Sequence, residues 1–480
     1  MERISAAEGR KPNLLIIVAD QLRHDCVGWS GGRSVRTPHL DQLASEGMDF
    51  RQAYSPIPVC GPARQAFVCG QRPETYGGLW NPSLGLPVKA LEPDSFSWAR
   101  SLEMEGYRNT YLGKWDVNPD HDPTSYGYGE YIDSERLYRD YLKSREPAVT
   151  YTAGFWGEID PLPVEETRTH RTAALAIEAM EKLTEGTGPW QLRVNFTEPH
   201  LPCRPASEFA ALYSPEEIPP WESFAETFEG KPYIQGQQLR NWKIEEFTWE
   251  DWAPAVARYY AVITQLDEAV GRVLKALEDA GQKEQTMVVF TSDHGDMAGG
   301  HRMIDKHYVM YDDVVRVPFL VRWPGVIPPG SRSDAFVYPF LDLPPTLLDL
   351  AGAPPPEGAV LAGRSLLPLW TGEEDPAGVP SPEGWREEVV STYNGQQFGL
   401  FSQRMLRTRD WKYVWNPTDT DELYDLKNDP HELNNAVRMP ENHRRVQELR
   451  RRLYDILLKE GDGLVSTSWM RDQLMEGHKK

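Results

Sequence analysis

Cysteine is scarce in this 480-residue chain, which has four: Cys26, Cys60, Cys69 and Cys203. That is too few for a disulfide scaffold, and no Cys-x-x-Cys pair offers a zinc site. A reducing compartment is the simpler expectation. Long hydrophobic runs are also missing. The first apolar run, Leu14 to Ala19, is far too short for a signal-peptide core or a membrane span, and the segment before it is polar. A cytoplasmic location with no membrane partner is therefore expected. Positive charge is in deficit, with 51 Lys and Arg against 72 Asp and Glu, a formal net charge of -21 and a pI near 5.0. Such a surface argues against nucleic acid as a partner, because nucleic-acid binding needs cations on phosphates. It leaves a small anionic substrate open, since a local basic pocket overrides the global field. The pattern contains no internal repeat and no low-complexity tract, and it carries no signature of an oligomeric state.

What the chain does contain suits a folded enzyme. Hydrophobic residues make up 40% and charged residues 26%, far from the composition of a disordered chain. The length fits one large α/β domain with a smaller companion. Asn13 to Ala19 is a β-branched and Leu-rich run ending in Asp20-Gln21, the pattern of a buried central strand. Further strands are expected after Gly106, up to Leu112, and over Trp190–Phe196, Met287–Thr291 and Pro318–Val321. Helical spacing is clearest from Trp252 to Ala280, and a shorter helix opens at Thr37-Pro38. Strands alternating with helices predict a large mixed, mostly parallel sheet sandwiched by helices.

A stretch rich in Pro and Gly, Ala353 to Pro382, reads as loops leading to a boundary, so residues 1–382 form the expected catalytic domain and 383–480 a C-terminal subdomain. There, short strands over Glu388–Thr392, Met405–Arg407, Lys412–Trp415 and Glu422–Tyr424 precede a charged helix from about Glu441 to Lys459, predicting a small α+β unit with an antiparallel sheet. Phe209 to Trp252, rich in aromatics and prolines without a clean period, reads as a long insertion near the site.

Two strand ends carry polar groups where α/β sheets bind ligands. They are Asp20-Gln21 and Asp293-His294-Gly295. Carboxylate and amide oxygens suit calcium or magnesium, and the imidazole adds manganese or zinc. Taken singly, strand-end Asp residues are as well explained as turn formers or helix caps.

The segment Cys60-Gly61-Pro62-Ala63-Arg64, followed by a short apolar stretch and Gly70, resembles the sulfatase signature. The resemblance extends through Gly113-Lys114-Trp115, Glu198-Pro199-His200, Asp293-His294-Gly295, Gly300-His301 and Asp305-Lys306 to Glu422-Leu423-Tyr424-Asp425-Leu426 and Asp429-Pro430. It implies an alkaline-phosphatase-like fold and hydrolysis of a sulfate monoester. It also implies that Cys60 is converted to formylglycine by a formylglycine-generating enzyme. The aldehyde hydrate then supplies the nucleophile, with covalent catalysis as the general logic. Arg64 would hold the hydrate, while Lys114, His200 and Lys306 match positions that contact sulfate oxygens or protonate the leaving group. Asp20, Gln21, residue 60, Asp293 and His294 would hold one divalent metal, calcium first and manganese second. His301 and His307 have no firm role. The substrate would be a small anionic sulfate ester, such as a sugar or aryl sulfate.

Some positions depart from the common pattern. Gln21 stands where many members have a second acid, and His294 where some have Asn. Both resemble the choline-sulfatase and phosphonate monoester hydrolase branches. Ala63 replaces the frequent Ser, and Cys69 also differs. Asp116 replaces the histidine that usually follows Lys-Trp. Asp116 itself, or a histidine from elsewhere such as His121, then supplies the base; alternatively Asp116 attracts a cationic substrate group. Two further readings compete: a phosphonate monoester hydrolase or phosphodiesterase on the same scaffold, and a catalytically silent binding protein.

Overall fold

The structure is a computed structural model and describes residues 11–82, 87–370, 384–395 and 400–477. The eight-residue run Asn13–Asp20 forms β1 and is buried throughout. β-Branched and Leu side chains fit a pleated surface that is covered on both sides. Leu14, Ile16 and Val18 join one apolar core, and Leu15, Ile17 and Ala19 join another. The period of two along the strand thus divides the interior into two layers.

The other strands of the large sheet are β2 (Met48–Ala53), β3 (Arg108–Gly113), β4 (Glu130–Ile132), β5 (Trp190–Pro199), β6 (Thr286–Ser292), β7 (Phe319–Arg322) and β8 (Ser331–Val337). Their order is β4-β3-β5-β1-β6-β7-β2-β8. β1 pairs parallel with β5 and β6, and β5 parallel with β3, while β7 runs antiparallel to β6 and β2. The expected mixed, mostly parallel sheet is thus observed. Helix Cys60–Cys69 buries Ala63, Ala66 and Phe67 in the first core, whereas the 31-residue helix Trp249–Asp279 packs Val262, Leu266 and Val270 into the second.

A second sheet holds β9 (Glu388–Tyr393), β10 (Gln403–Thr408), β11 (Trp411–Trp415) and β12 (Glu422–Asp425), in the antiparallel order β12-β11-β10-β9. Helix His443–Lys459 covers it, with Leu449, Leu453 and Leu457 on Leu406, Tyr413 and Trp415. The sheet is tied back by Ser391 Oγ to the Ser55 carbonyl at 2.6 Å and by Lys412 Nζ to Asp312 Oδ1 at 2.7 Å. The expected boundary between residues 382 and 383 lies outside the described residues.

The segment from Phe209 to Trp252 is a set of short turns followed by helix Tyr233–Trp242. It bridges the two sheets: Gln235 Nε2 donates to Glu422 Oε2 at 3.0 Å, and Lys231 Nζ to the Glu432 carbonyl at 2.6 Å. Among the described residues, no helix is long and apolar enough to cross a membrane.

Candidate active site

Four neighbouring parallel strands, β3, β5, β1 and β6, end on the same edge of the sheet, and each is followed by polar residues. Asp20 closes β1. Because Ala19 pairs with Ser292 in the β1–β6 register, Asp20 and Asp293 emerge side by side. Lys114 follows β3, and His200 follows β5. Cys60 is the first residue of its helix, where the backbone dipole favours an anionic nucleophile.

The centre of the site is buried. One ligand atom each from Asp20, Cys60, Asp293 and His294 lies within 4.8 Å of all the others. Cys60 Sγ is 3.2 Å from His294 Nε2 and 3.7 Å from Asp20 Oδ1. Each carboxylate divides its oxygens. Asp20 Oδ2 and Asp293 Oδ2 accept from Arg64 at 3.1 and 3.0 Å. Their Oδ1 atoms face His294 Nε2, at 3.9 and 3.7 Å. His294 Nδ1 is 2.9 Å from the Gly295 carbonyl, which makes Nδ1 a donor; Nε2, which faces Cys60, would give its lone pair to a bound cation. Two carboxylates, an imidazole nitrogen fixed by its other hydrogen bond, and residue 60 suit a divalent cation.

Arg64 has no exposed surface, and its fork is used in full. Besides the two carboxylates, Nη1 donates to Asn195 Oδ1 at 3.1 Å and to the Lys114 carbonyl at 3.2 Å. Asn195 sits within β5 in an alternating row of polar residues with Gln191 and Arg193, a buried polar row that sequence reading passed over.

Lys114 Nζ lies 2.5 Å from Asp20 Oδ2 and 3.1 Å from Asp116 Oδ2. Burial pushes the Asp20 carboxyl up, but Lys114, His200, Arg64 and His294 outweigh it and hold it well below the usual carboxylate range. Burial and Asp20 likewise push the Cys60 thiol up. Lys114, Lys306 and His294 prevail and bring it down to about 5.

Gln21 lies just past the strand, in the left-handed region at φ 68°. Its backbone N–H donates to Asp293 Oδ1 at 3.1 Å. Its side-chain oxygen accepts from Lys306 Nζ at 2.9 Å, and its amide nitrogen donates to Asp296 Oδ2 and, at 3.1 Å, to Asp305 Oδ1. Lys306 Nζ is also 3.2 Å from His200 Nε2. Asp305 continues outward to His307 Nε2 at 3.3 Å, and His307 Nδ1 to the Tyr393 hydroxyl at 2.9 Å, on β9.

The structure therefore brings together Asp20, Cys60, Arg64, Lys114, Asp293 and His294. It links Gln21, His200 and Lys306 beside them. Two histidines lie elsewhere. His301 bonds Glu226 at 2.7 Å and stacks on Tyr311 at 3.6 Å in a buried cluster, and the exposed His121 gives its carbonyl to Trp115 Nε1. Asn81 is an addition. Its Oδ1 accepts from the Gly61 N–H at 2.7 Å, at the first turn of the Cys60 helix.

Comparison with known proteins agrees with this arrangement. The sulfatase family profile matches residues 12–353, and that of the N-sulphoglucosamine sulphohydrolase C-terminal region matches residues 299–459. The chain is 29% identical to an ulvan-active sulfatase of Formosa agariphila, covering 96% of this chain and 84% of that one. It is 28% identical to an arylsulfatase of Clostridium perfringens, covering 98% of both. Among solved structures, the phosphonate monoester hydrolase of Agrobacterium radiobacter superposes with a TM-score of 0.79 at 26% identity, covering 94% of this chain and 96% of that one. The matched profile spans most of the chain and includes every residue gathered around Cys60, so the protein belongs to the sulfatase family and is an enzyme of sulfate-ester hydrolysis.

Proposed function

We propose that the chain cleaves a sulfate monoester with a formylglycine made from Cys60, working beside one divalent cation held by Asp20, Gln21, residue 60, Asp293 and His294. The observation that carries this reading is the buried group of Asp20, Cys60, Asp293 and His294, backed by Arg64. A cation bound there would acidify a hydroxyl of the formylglycine hydrate and draw charge from the sulfuryl group. Calcium suits the oxygen-rich set, and the nitrogen of His294 with the neutral Gln21 also suits manganese.

The protein groups divide the remaining work. One hydrate hydroxyl of residue 60, its proton already released to solvent, forms a bond to sulfur as the sulfur–ester oxygen bond breaks, and the departing alkoxide takes a proton from His200 or Lys306, which lie 3.2 Å apart. The second hydroxyl of residue 60 then returns its proton to that same group, the carbon–oxygen bond to sulfate breaks, sulfate leaves as its dianion, and the aldehyde reforms. Water rehydrates it. Arg64 holds Asp20 and Asp293 in place. Lys114 and Lys306 stabilise charge that builds on the sulfuryl oxygens.

A second reading, phosphonate monoester hydrolysis, is favoured by the similarity to the Agrobacterium enzyme. Net charge does not separate the two, because a sulfate monoester and a phosphonate monoester are both monoanions. The third substituent does. Sulfate presents a third terminal oxygen where the phosphonate presents an organic group. Lys114, beside Asp20, and the linked pair Lys306 and His200 supply polar donors near residue 60, which favours sulfate.

Co-expression with a formylglycine-generating enzyme, followed by mass spectrometry of the Cys60 peptide and an aryl sulfate assay, tests the proposal. Aldehyde at residue 60 with turnover lost in Cys60→Ala supports it. Turnover by the unmodified thiol form would overturn it.

A further inference from the structure

Asp305, His307 and Tyr393 form a chain of polar groups that the proposed reaction leaves without a task. It starts at Lys306, whose Nζ lies 2.9 Å from Gln21 Oε1, 3.2 Å from His200 Nε2 and 3.4 Å from Asp305 Oδ1. The first two contacts place the ammonium beside the groups that serve the ester. Asp305 supplies the charge that balances it, in a pair with side chains only 4% and 6% exposed. A buried pair holds its geometry only where further hydrogen bonds occupy the carboxylate.

Those bonds come from two sides. Asp305 Oδ1 also accepts from Gln21 Nε2 at 3.1 Å, and Oδ2 lies 3.3 Å from His307 Nε2. A carboxylate only accepts, so Nε2 is the donor. His307 Nδ1 in turn lies 2.9 Å from the Tyr393 hydroxyl. With both nitrogens engaged, the imidazole has one orientation, and its Nε2–H is aimed at Asp305. Tyr393 is itself fixed. It ends β9, is fully buried and packs its ring 5.5 Å from that of Tyr308.

The backbone shows why such ties are needed. Asp305 and Tyr308 are both in the left-handed region, at φ 67° and 63°. That conformation costs an L residue energy and persists only where the surroundings over-determine it. The two residues bracket Lys306 and His307, so the turn that carries the ammonium is held by side chains rather than by its own backbone preference.

We propose that His307 and Tyr393 are positioning residues for Lys306. The Tyr393 hydroxyl orients His307, His307 holds Asp305, and Asp305 keeps the Lys306 ammonium on Gln21 and His200. The small antiparallel sheet thereby takes part in the active site through one hydroxyl. This inference rests on the sulfate-ester reading, in which Lys306 serves the sulfuryl group or the leaving oxygen.

Steady-state kinetics of the matured, metal-loaded protein with an aryl sulfate test it. His307→Leu should lower kcat at least about tenfold, the worth of a hydrogen bond to a charged group, with KM changed less than about twofold. His307→Gln, whose amide nitrogen can stand in for Nε2, should keep more than about a third of the parent kcat. In a Lys306→Met background, adding His307→Leu should cost less than about twofold, because the effect passes through Lys306. A purely structural role would give similar losses in both backgrounds. Tyr393→Phe, which removes one oxygen, serves if the leucine variant fails to fold. It should lower kcat about threefold or more, again only while Lys306 is present. Parent-like kcat in His307→Leu or Tyr393→Phe, a glutamine variant no better than the leucine one, or equal losses with and without Lys306 overturns the relay alone. Parent-like kcat in Lys306→Met overturns the role that the sulfate-ester reading gives Lys306, and the relay with it.

Discussion

Lys306 Nζ donates to Gln21 Oε1 at 2.9 Å, which fixes the orientation of the Gln21 amide. The NH2 end must then face the buried carboxylates of Asp296 and Asp305, and it bonds both. This accounts for an amide at position 21. A carboxylate there would meet two others with no donor between them, and burial with Asp305 nearby already raises the Asp296 carboxyl to about 6.

Gln21→Glu is therefore expected to destabilise the fold by about 2–4 kcal/mol, the range for an unpaired buried charge. The loss should be larger at pH 8 than at pH 5, because protonating one carboxyl of the group relieves the repulsion. Urea unfolding at the two pH values measures it. Equal stability of the variant and the parent at pH 8 would contradict the account of the amide.

Arg64 makes a sharper stability prediction. Removing it leaves Asp293 buried without its guanidinium partner and Asp20 with Lys114 alone. Arg64→Ala should cost about 3–5 kcal/mol, as for other broken buried pairs. Arg64→Lys should recover part of the stability but little activity, since an ammonium cannot reach two carboxylates, Asn195 and the Lys114 carbonyl at once. Full activity in Arg64→Lys would show that the fork geometry is unimportant.

Before maturation, the Cys60 thiol should react as an unusually acidic one. Burial and Asp20 oppose ionisation, yet Lys114, Lys306 and His294 bring the thiol down to about 5. In metal-free protein, alkylation by iodoacetamide should rise with pH around that value and be flat above pH 7. Lys114→Met should move the midpoint upward. A midpoint near the ordinary thiol value in the parent would contradict the electrostatic reading.

Gly61→Ala tests the turn itself. The added methyl would sit 2.8 Å from Asn81 Oδ1 and 3.0 Å from the Asp116 carbonyl oxygen, and the latter is backbone that cannot swing aside. A destabilisation of about 1–3 kcal/mol is expected, typical of overpacking, with a larger proportional loss of turnover because residue 60 shifts. Parent-like stability and turnover would show that the turn has slack.

The central strands were legible because their chemistry is continuous. Asn13–Asp20 is apolar along its length, as a parallel strand covered on both faces must be. The helix Trp249–Asp279 was legible from its period and the Gly281 after it. Met48–Ala53 and Ser331–Val337 were passed over. They mix Asp, Arg and Gln or Ser with apolar residues, because they lie toward one edge of the sheet and are only partly covered. Helix Arg168–Glu185 was also missed, as its buried face is largely Ala and Thr, which gives a weak apolar signal. At the site, residue types and order pointed to Cys60, Arg64, Asp293 and His294. The duties of Gln21, Asn81 and Asn195 were not legible, since each depends on partners far away in the sequence.

The most direct measurement compares kcat/KM for an aryl sulfate and for the matched aryl phosphonate monoester, using metal-loaded protein whose Cys60 has been matured, with Cys60→Ala as control. The account predicts a clear preference for the sulfate that disappears in the control. A preference for the phosphonate, or sulfate turnover that survives Cys60→Ala, would contradict it.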